Sequence, residues 1–318
     1  MRVVISIINY RTPDLTLNGL RSLSSDIDLD RDFVVVVDNA SGDDSVDRIE
    51  AAIAHNQWQP WVRVFPSPVN GGFSAGHNLV FQQFPADAYL LLGSDTIVRP
   101  GAISTLKNAL QSDPKVGLIG PRLEALDGTP QISCFCNRSP IGEFLDAAST
   151  GILTRFLKAY DILIPVSDVP IEAQWISFAC VLIRSEVIQQ IGKMDEGYFL
   201  YFEDIDYCRR ARAAGWHIRY IPTAKVVHFK GGSGAVQANR RNRQRLPTYY
   251  YASRSRYFAK FYGRMGLWGA NSCWLAGRTI SWMREIIGNK MPHTCEGEAW
   301  DIWTNGLHPM KANCYHED

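Results

Sequence analysis

The sequence predicts an α/β fold built on a mixed, mostly parallel sheet that is flanked by helices. Three observations predict this fold: continuous apolar, β-branched runs typical of strands buried on both faces, helical patterns between them, and polar residues directly after each run. Ligands of such open sheets bind at the carboxyl ends of the strands, so these polar residues are expected to share one rim. At 318 residues, with 46% apolar and 20% charged, the chain suits one large α/β domain plus an appendage.

The strands are expected wherever apolar runs stop at polar or glycine residues. They are VVISII at 3–8, FVVVVD at 33–38, VRVF at 62–65, YLLLG at 89–93, VGLIG at 116–120 and QWISFACVLIR at 174–184, with two more between Gly215 and His228. Helices are expected after the strands. One begins at Thr12 and Pro13, one reaches Ala54, one runs from Pro100 through Leu110, one lies within 142–164, and others follow Ser185 and Glu203. The segment NGGFSAGHN at 70–78 is interpreted as a glycine-rich loop.

Two common nucleotide-binding classes are excluded by the residues directly after the strands. In a dinucleotide dehydrogenase the first strand runs into Gly-x-Gly-x-x-Gly, whereas here it runs into NYRTPD. The glycine segment at 70–78 comes after the third strand and lacks that spacing. No Gly-Lys-Ser/Thr comes after a strand, so a P-loop is absent as well.

Targeting and cysteine patterns predict a cytoplasmic location. The amino terminus, MRVVISIINYRTPD, has a short apolar run and no small-residue cleavage site, and no run of about 18 apolar residues occurs. We therefore expect neither a signal peptide nor a transmembrane helix. The seven cysteines are irregularly spaced, which favours reduced thiols over a disulfide framework.

The stretch YFEDIDYCRRARAAGW at 201–216 gathers three acids, Glu203, Asp204 and Asp206, at the start of a helical pattern. Clustered carboxylates are costly unless hydrogen bonds, a cation or a metal compensates them, although the positive end of the helix dipole helps. A positive group is therefore expected nearby. The alternative is an acidic first turn on an ordinary amphipathic helix.

The net charge of +1 conceals a strong asymmetry. Residues 207–284 hold sixteen Lys and Arg and no acid, and subtracting sixteen from +1 leaves −15 for the rest. This basic segment indicates an anionic partner such as phosphates or an anionic membrane surface. Nucleic acid is not expected, because no recognised reader motif accompanies the charge.

Residues 236–318 are expected to form a basic, Trp-rich helical region. Arginines beside Trp268, Trp274 and Trp282 suit peripheral contact with the inner face of the cytoplasmic membrane. The alternative is that these helices pack on the preceding domain, with arginines such as Arg254 or Arg256 facing phosphates.

Taken in order, the motifs resemble those of the inverting glycosyltransferases of family 2, which have the GT-A (nucleotide-diphospho-sugar transferase) fold. They are the first strand VVISIINY, VDNASGD, NGGFSAGHN, LLGSDT, GYFLYFEDIDYCRRARAAGW and VVHFKGGS. The segment TYYYASRSRYFAKFYG at 248–263 is similar to a tail of rhamnosyltransferase-like members. The resemblance implies a catalytic domain at 1–235, with a nucleotide-binding half at 1–120 and an acceptor half at 121–235.

The resemblance also implies which residues bind the nucleotide-sugar donor. They are Asn9, Tyr10, Asp38, Asn70, Gly72, Asn78, Ser94 and Asp95. Asp38 is expected to hydrogen-bond the pyrimidine base, and the glycine segment to let backbone approach the diphosphate or ribose. A strand-end acid and a plain turn are the structural alternatives.

A divalent metal, Mg²⁺ or Mn²⁺, is implied by Asp95, which stands at the family's Asp-x-Asp-like position. The sequence departs from the full motif, because Gly93 and Ser94 precede Asp95. In related members a histidine at the position of His228 is a metal ligand, and it would supply the second protein ligand here.

Asp204 is the implied catalytic base that takes the acceptor hydroxyl proton. Glu203 would position the acceptor or hold Asp204, and Asp206 would pair with Arg209 or Arg210. The two carboxylates Glu203 and Asp204 could also exchange roles.

An aromatic pair and one acid are further candidate acceptor contacts. Trp175 and its neighbour Phe178 could stack on a sugar ring, although such aromatics are more often core residues. Asp195 is a second candidate. The predicted function is therefore metal-dependent inverting transfer of a sugar, rhamnose from dTDP-rhamnose in the first place, to a cell-surface glycan or lipid-linked acceptor. A galactofuranosyl or hexosyl transferase that uses a UDP-sugar, and an inactive sugar-nucleotide-binding subunit of a polysaccharide assembly complex, are the alternatives.

Overall fold

The computed structural model describes residues 1–232, 234–288 and 290–311. The strands are β1 Val3–Asn9, β2 Phe33–Asp38, β3 Val62–Pro66, β4 Ala88–Gly93, β5 Thr96–Val98, β6 Val116–Glu124, β7 Cys134–Phe135, β8 Ile171–Glu172, β9 Trp175–Ile176, β10 Cys180–Arg184 and β11 His217–His228. The helices are α1 Pro13–Leu23, α2 Ser45–His55, α3 Gly72–Gln83, α4 Ala102–Ser112, α5 Pro140–Ala148, α6 Gly151–Phe156, α7 Ser185–Ile191, α8 Glu203–Ala213, α9 Ala235–Asn242, α10 Thr248–Ile286 and α11 Glu298–Asp301.

The main sheet is mixed, as predicted, in the order β3-β2-β1-β4-β10-β6-β11-β5, with β8 beside β11. The pairs β1–β2, β2–β3, β1–β4 and β6–β11 are parallel. Strand β10 is antiparallel to both of its neighbours, β4 and β6. Its beginning therefore lies at the same rim as the carboxyl ends of β1, β2 and β4.

The central strands are apolar on both faces because helices cover each side of the sheet. Val4, Val35 and Leu91 face one hydrophobic cluster, and Val3 and Ile5 face the other. All five are fully buried. Burying such a side chain stabilises the fold by about 1.5–3 kcal/mol each, which explains why these segments are continuous apolar runs.

Three local expectations were wrong. The segment expected as a glycine-rich loop is the start of α3, which begins at Gly72. The run at 174–184 is two short strands, β9 and β10, separated at 177–179, because the chain turns there from a small second sheet with β7 into the main sheet. The two strands expected after Gly215 are one irregular strand, β11, whose register shifts between Ile221 and Lys225.

The basic carboxyl-terminal region packs on the preceding residues through α10, which has a non-helical break at Gly263. A Cβ on Gly277 would meet the Phe144 carbonyl oxygen at 2.3 Å, so α10 and α5 approach each other closely. Arg254 is buried in an ion pair with Glu143 on α5. The domain boundary near residue 235 stays a prediction.

Within the described residues, no helix has the length and apolarity needed to cross a membrane. The six cysteines among these residues are free thiols.

Candidate active site

A cavity of about 490 Å³ opens at the predicted rim, where β1, β4, β10 and β11 meet α8. This volume is within the usual range of small-ligand sites. Its polar or charged lining residues include Tyr10, Thr12, Asn39, Asn70, Ser94, Asp95, Arg138, Tyr201, Glu203, Asp204, His228, Lys230, Gln237, Arg240 and Tyr250. Most predicted site residues are thus brought together from separate strands, loops and helices.

Asn9 and Asp38 lie beneath the rim and are both buried. The Asn9 amide nitrogen donates to Asp38 Oδ1 at 2.7 Å, and the Ser41 hydroxyl donates to the same oxygen at 2.5 Å. The Asp38 Oδ2 accepts from the Ser41 backbone N–H at 3.0 Å. Asp38 therefore shapes the loop after β2, and it is the next residue, Asn39, that lines the cavity.

The segment that leads into α3 forms one wall of the cavity at Asn70 and Gly72. Gly72 has φ +78°, and a Cβ there would lie 2.1 Å from the Phe199 carbonyl oxygen. The next backbone N–H, that of Phe73, donates to the same oxygen at 2.7 Å. Only glycine fits this close approach, which holds the α3 segment against the segment before α8.

Asn78 was predicted to bind the donor, but the structure does not bring its side chain into the cavity lining. Its amide nitrogen donates to the Met194 carbonyl at 2.9 Å and to Glu196 Oε1 at 2.8 Å. Its oxygen accepts from the Met194 N–H at 3.0 Å. Asn78 thus holds the segment that precedes α8 against α3.

Asp95 and His228 face each other at the cavity, with 3.7 Å between Asp95 Oδ2 and His228 Nε2. Asp95 follows β4, His228 ends β11, and the pairing of β11 with β5 fixes their proximity. Burial lowers the pKa of His228 despite the Asp95 charge, and its Nδ1 is buried without a hydrogen-bond partner in the described residues. A neutral imidazole beside a carboxylate fits a divalent cation, since ligands at about 2.1 Å from one ion can be this far apart.

Helix α8 brings its amino terminus to the cavity with Glu203 and Asp204 in the first turn. The two preceding residues, Tyr201 and Phe202, have φ values of +68° and +70°. Left-handed backbone at bulky residues costs on the order of 1–3 kcal/mol each and is concentrated at functional sites. This conformation directs the start of the helix, and hence both carboxyl groups, into the cavity.

Burial raises the pKa of both carboxyl groups. The pKa of Asp204 rises to about 7, although Asp204 Oδ1 accepts a hydrogen bond from the Ile205 N–H at 2.8 Å and the Arg138 charge also opposes the rise. The pKa of Glu203 is also raised well above its ordinary value, through burial and then the neighbouring Asp204 charge, and its Oε2 has no partner within the described part of the chain. A carboxyl group with a pKa near neutrality is well suited to accept a proton in catalysis.

Asp206, the third acid of the cluster, is structural. It accepts from Arg210 at 2.7 Å, as predicted, and from Lys260 of α10 at 2.6 Å. Arg209 instead lies over the Phe261 ring at 4.3 Å. The acidic cluster is therefore divided between two residues at the cavity and one at the α8–α10 contact.

The structure does not place Asp195 at the cavity. Arg256 donates two hydrogen bonds to its carboxylate, at 2.8 and 3.1 Å, and Lys260 donates a third at 2.8 Å. These contacts lower the pKa of Asp195 to about 2 despite its burial. The expectation that Arg254 or Arg256 faces phosphates was wrong, because Arg254 and Arg256 pair with Glu143 and Asp195.

Trp175 and Phe178 both line the cavity and are buried. The Trp175 ring stacks on Phe135 at 4.0 Å, and its Nε1 donates to the Cys136 carbonyl at 2.8 Å. These two contacts fix the orientation of the indole. Trp175 and Phe135 therefore form a fixed apolar wall beside Asp204.

The basic residues of the cavity, Arg138, Lys230 and Arg240, were not predicted from the sequence. Arg138 donates to Glu143 at 2.9 Å and is the expected cation near the acidic cluster. Arg240 lies over the Tyr250 ring at 5.1 Å. Among the described residues, neither Lys230 nor Arg240 is in an ion pair. No local pattern distinguishes them from other arginines and lysines, and only the high density of basic residues after 207 hinted at them.

The chain is similar to known proteins in both sequence and fold. The family model described as "Glycosyltransferase like family 2" matches residues 2–246. The N-acetylglucosaminyl-diphospho-decaprenol L-rhamnosyltransferase of Mycobacterium tuberculosis (strain ATCC 25618 / H37Rv) is 31% identical over 215 residues, which are 63% of this chain and 67% of the relative.

Two solved structures are similar in fold. GalNAc-T7, determined with UDP, GalNAc and Mn²⁺, has a TM-score of 0.60 at 11% identity, and the match covers 96% of this chain but only 54% of GalNAc-T7. The mannosyltransferase PcManGT of Pyrobaculum calidifontis, determined with GDP-Man and Mn²⁺, has a TM-score of 0.55 at 13% identity and coverages of 97% and 85%. These likenesses confirm the predicted GT-A fold.

Proposed function

The chain belongs to the glycosyltransferase-like family 2, and from that premise we propose that it transfers rhamnose from dTDP-rhamnose, with inversion, to a lipid-linked glycan acceptor. The observation that carries the reaction type is the pair of cavity carboxyl groups, Glu203 and Asp204, with raised pKa values at the amino terminus of α8. The rhamnosyl donor is supported by the 31% identical rhamnosyltransferase of M. tuberculosis. The name of that relative also supports a diphospho-lipid acceptor for this chain.

The donor is proposed to lie along the rim of the sheet. The base and ribose would lie between the β1 and β2 ends and Asn70, where Tyr10 and Asn39 line the cavity. Lys230 and Arg240, which form no ion pairs among the described residues, would neutralise the diphosphate. The buried Asp38 contributes by holding the loop after β2 through Asn9 and Ser41.

Asp95 and His228 would hold a divalent metal between them, with the remaining ligands supplied by the donor. When bound, such an ion stabilises negative charge on the diphosphate leaving group. The mannosyltransferase and GalNAc-T7 structures, both determined with Mn²⁺, support a metal of this kind.

Asp204 is proposed to act as the general base. The acceptor hydroxyl oxygen forms a bond to the anomeric carbon from the side opposite the diphosphate while its proton passes to an Asp204 carboxylate oxygen. The bond from the anomeric carbon to the diphosphate oxygen breaks, and dTDP leaves with the electron pair. Burial raises the pKa of Glu203 well above that of an ordinary glutamate, which favours a protonated carboxyl group that would donate a hydrogen bond to the acceptor.

The apolar wall of Trp175 and Phe135 suits the less polar face of a sugar ring of the acceptor. Arg138, on the same side as α8, would contact the acceptor's diphosphate. This arrangement favours an active transferase over an inactive binding subunit, because a binding protein has no use for two carboxyl groups held at high free-energy cost.

The test is calorimetric titration with dTDP and UDP, each with and without Mn²⁺, followed by product detection with dTDP-rhamnose and UDP-sugars. We expect metal-dependent binding of dTDP and at least a tenfold loss of affinity in both Asp95→Asn and His228→Ala, about 1.4 kcal/mol or more. Asp127→Asn, a change of a fully exposed carboxylate away from the cavity, is the matched control.

Tighter binding of UDP than of dTDP would indicate that the donor is a UDP-hexose and not dTDP-rhamnose. Binding of neither nucleotide, or metal-dependent binding that survives both substitutions, would refute the assignment of Asp95 and His228.

A further inference from the structure

An exposed apolar surface away from the cavity combines α6 with the end of α10 and the residues that follow it. We define this apolar face by Ile152, Phe156, Trp282, Met283, Ile286, Ile287 and Met291, whose exposed fractions run from 54% to 82%. The two elements adjoin, because Arg284 and Lys290 both donate to the Ser149 carbonyl, at 3.0 and 3.3 Å, one residue before the cap of α6. Monomeric proteins rarely leave a contiguous apolar surface of this kind uncovered.

The second half of α10 buries one side against the protein and exposes apolar side chains on the other side. Leu267, Ala270, Trp274, Gly277 and Ser281 are buried, and they include the contact with α5. Successive spacings of seven, seven and four residues separate Trp268, Leu275, Trp282 and Ile286. These spacings place the four side chains on one stripe of the helix surface. All four are at least 37% exposed.

The rim of the apolar face is positively charged. Segment 151–160 contains Arg155 and Lys158 and no acid. Segment 281–291 contains Arg284 and Lys290 and one acid, Glu285, which Arg278 already pairs at 2.7 Å. Exposed tryptophan and aliphatic side chains bordered by cations complement an anionic bilayer, where each basic residue near the surface contributes about 1 kcal/mol.

We propose that α6 and the end of α10 dock on an anionic membrane surface, with the apolar face inserted at the headgroup level. The charge on the rim is what favours a lipid surface over a second copy of the chain, since two copies would bring like charges together.

This docking surface also leads to the cavity. From Phe156 the chain passes through a single 3₁₀ turn at Lys158–Tyr160 to Leu163, which lines the cavity and is 53% exposed. Tyr160, 41% exposed, lies between them in the chain. An acceptor anchored in the bilayer would then reach Asp204 without leaving the surface. Only this last step rests on the proposed function.

The test is sedimentation of the purified full chain with vesicles, without donor or acceptor. Vesicles of phosphatidylcholine and phosphatidylglycerol in equal amounts are compared with phosphatidylcholine alone, at low salt and at about 0.5 M NaCl, roughly three to four times physiological ionic strength. We expect binding to the mixed vesicles, weaker binding without the anionic lipid, and weaker binding at high salt.

Phe156→Glu and Ile287→Glu, one on each element, should each lower the partition coefficient about tenfold or more. Leu29→Glu is the matched control, because Leu29 is 58% exposed and lies near Arg2 and Phe33, where β1 and β2 begin. Because all three positions are exposed, their melting temperatures should stay close to that of the unmodified protein.

Several outcomes would overturn the proposal: no vesicle binding, equal binding to neutral and anionic vesicles, or undiminished binding of both variants. A lipid-free dimer by light scattering that Phe156→Glu converts to a monomer, without vesicle binding, would assign the face to a second copy instead. None of these readouts requires transferase activity, so a failure of docking is distinguishable from a failure of the proposed reaction. Transfer to a short soluble acceptor should be unchanged in both variants.

Discussion

Asp204→Asn should abolish most of the activity and yet make the protein more stable above neutral pH. The pKa of Asp204 is 3.8 in an unfolded chain and about 7 in the folded protein, chiefly because of burial. Between these values the folded state binds more protons than the unfolded state, so the free energy of unfolding falls as pH rises from about 4 to about 7. Each pH unit between the two pKa values corresponds to about 1.4 kcal/mol. Above pH 7 the buried Asp204 therefore lowers the free energy of unfolding by at most about 4 kcal/mol.

The amide that replaces the carboxyl group in Asp204→Asn has nearly the same shape and cannot ionise, so the substitution removes this cost. For a chain of 318 residues, about 1.5 °C of melting temperature corresponds to 1 kcal/mol. The melting temperature of Asp204→Asn should therefore exceed that of the unmodified protein by about 6 °C at pH 8, and by several-fold less at pH 4.5. Removal of the Asp204 charge also takes away one of the causes that raise the pKa of Glu203.

Thermal unfolding monitored by circular dichroism at a series of pH values measures the stability, and initial transfer rates measure the activity. Loss of the general base should lower kcat by about 10²–10⁴-fold, and kcat/KM of the unmodified enzyme should fall below pH 7 as Asp204 is protonated. Asp206→Asn is the control on the same helix. It removes a carboxylate that pairs with Arg210 and Lys260 and should cost about 3–5 kcal/mol instead.

A melting temperature that falls at pH 8 in Asp204→Asn would refute this account of the buried carboxyl group. A gain that is the same at pH 4.5 and pH 8 would equally show that burial of the charge is not its cause. Turnover near that of the unmodified enzyme would remove Asp204 from the role of base.

Two other substitutions test the framework around the cavity. In urea unfolding, Gly72→Ala should lower the free energy of unfolding by at least about 2 kcal/mol more than Gly128→Ala. Both glycines have positive φ, but only a Cβ at Gly72 would meet a neighbour, the Phe199 carbonyl oxygen at 2.1 Å. Equal losses in the two variants would contradict this account of the close approach. Glu143→Gln should lower the free energy of unfolding by about 3–5 kcal/mol, because it leaves the buried Arg254 without its ion-pair partner. The control Asp168→Asn changes a carboxylate that is 91% exposed and should lower the free energy of unfolding by less than about 1 kcal/mol. A loss for Glu143→Gln as small as that for Asp168→Asn would mean that Arg254 finds another partner.

The strands of the sheet could be predicted from the sequence because their determinants are local. Phe33–Asp38 was predicted at its observed bounds, and Val3–Asn9 and Ala88–Gly93 within one residue. A parallel strand buried on both faces must be apolar at every position, so the run itself carries the information. The helix beginning at Gly72 was missed because glycine and asparagine favour turns, and its start is determined by a contact with Phe199, more than a hundred residues later.

The family resemblance located Asp95, Glu203, Asp204 and His228, and the structure brings all four to one cavity. It also implied cavity roles for Asn78 and Asp195, whose side chains are used instead to join segments of the fold. A motif shows which residue types occur together, but not which of several polar atoms are already satisfied by internal partners.

The sequence by itself determined the α/β class, the order of the strands along the chain and the rim at which a ligand binds, because periodicity and turn chemistry depend on neighbouring residues. The tertiary structure alone decided which charges face the cavity. Arg138 and Arg240 line it, whereas Arg254 and Arg256 lie outside its lining, where the packing of α10 pairs them with Glu143 and Asp195. Such pairing depends on long-range distances, to which electrostatic energies are sensitive and which no local pattern specifies.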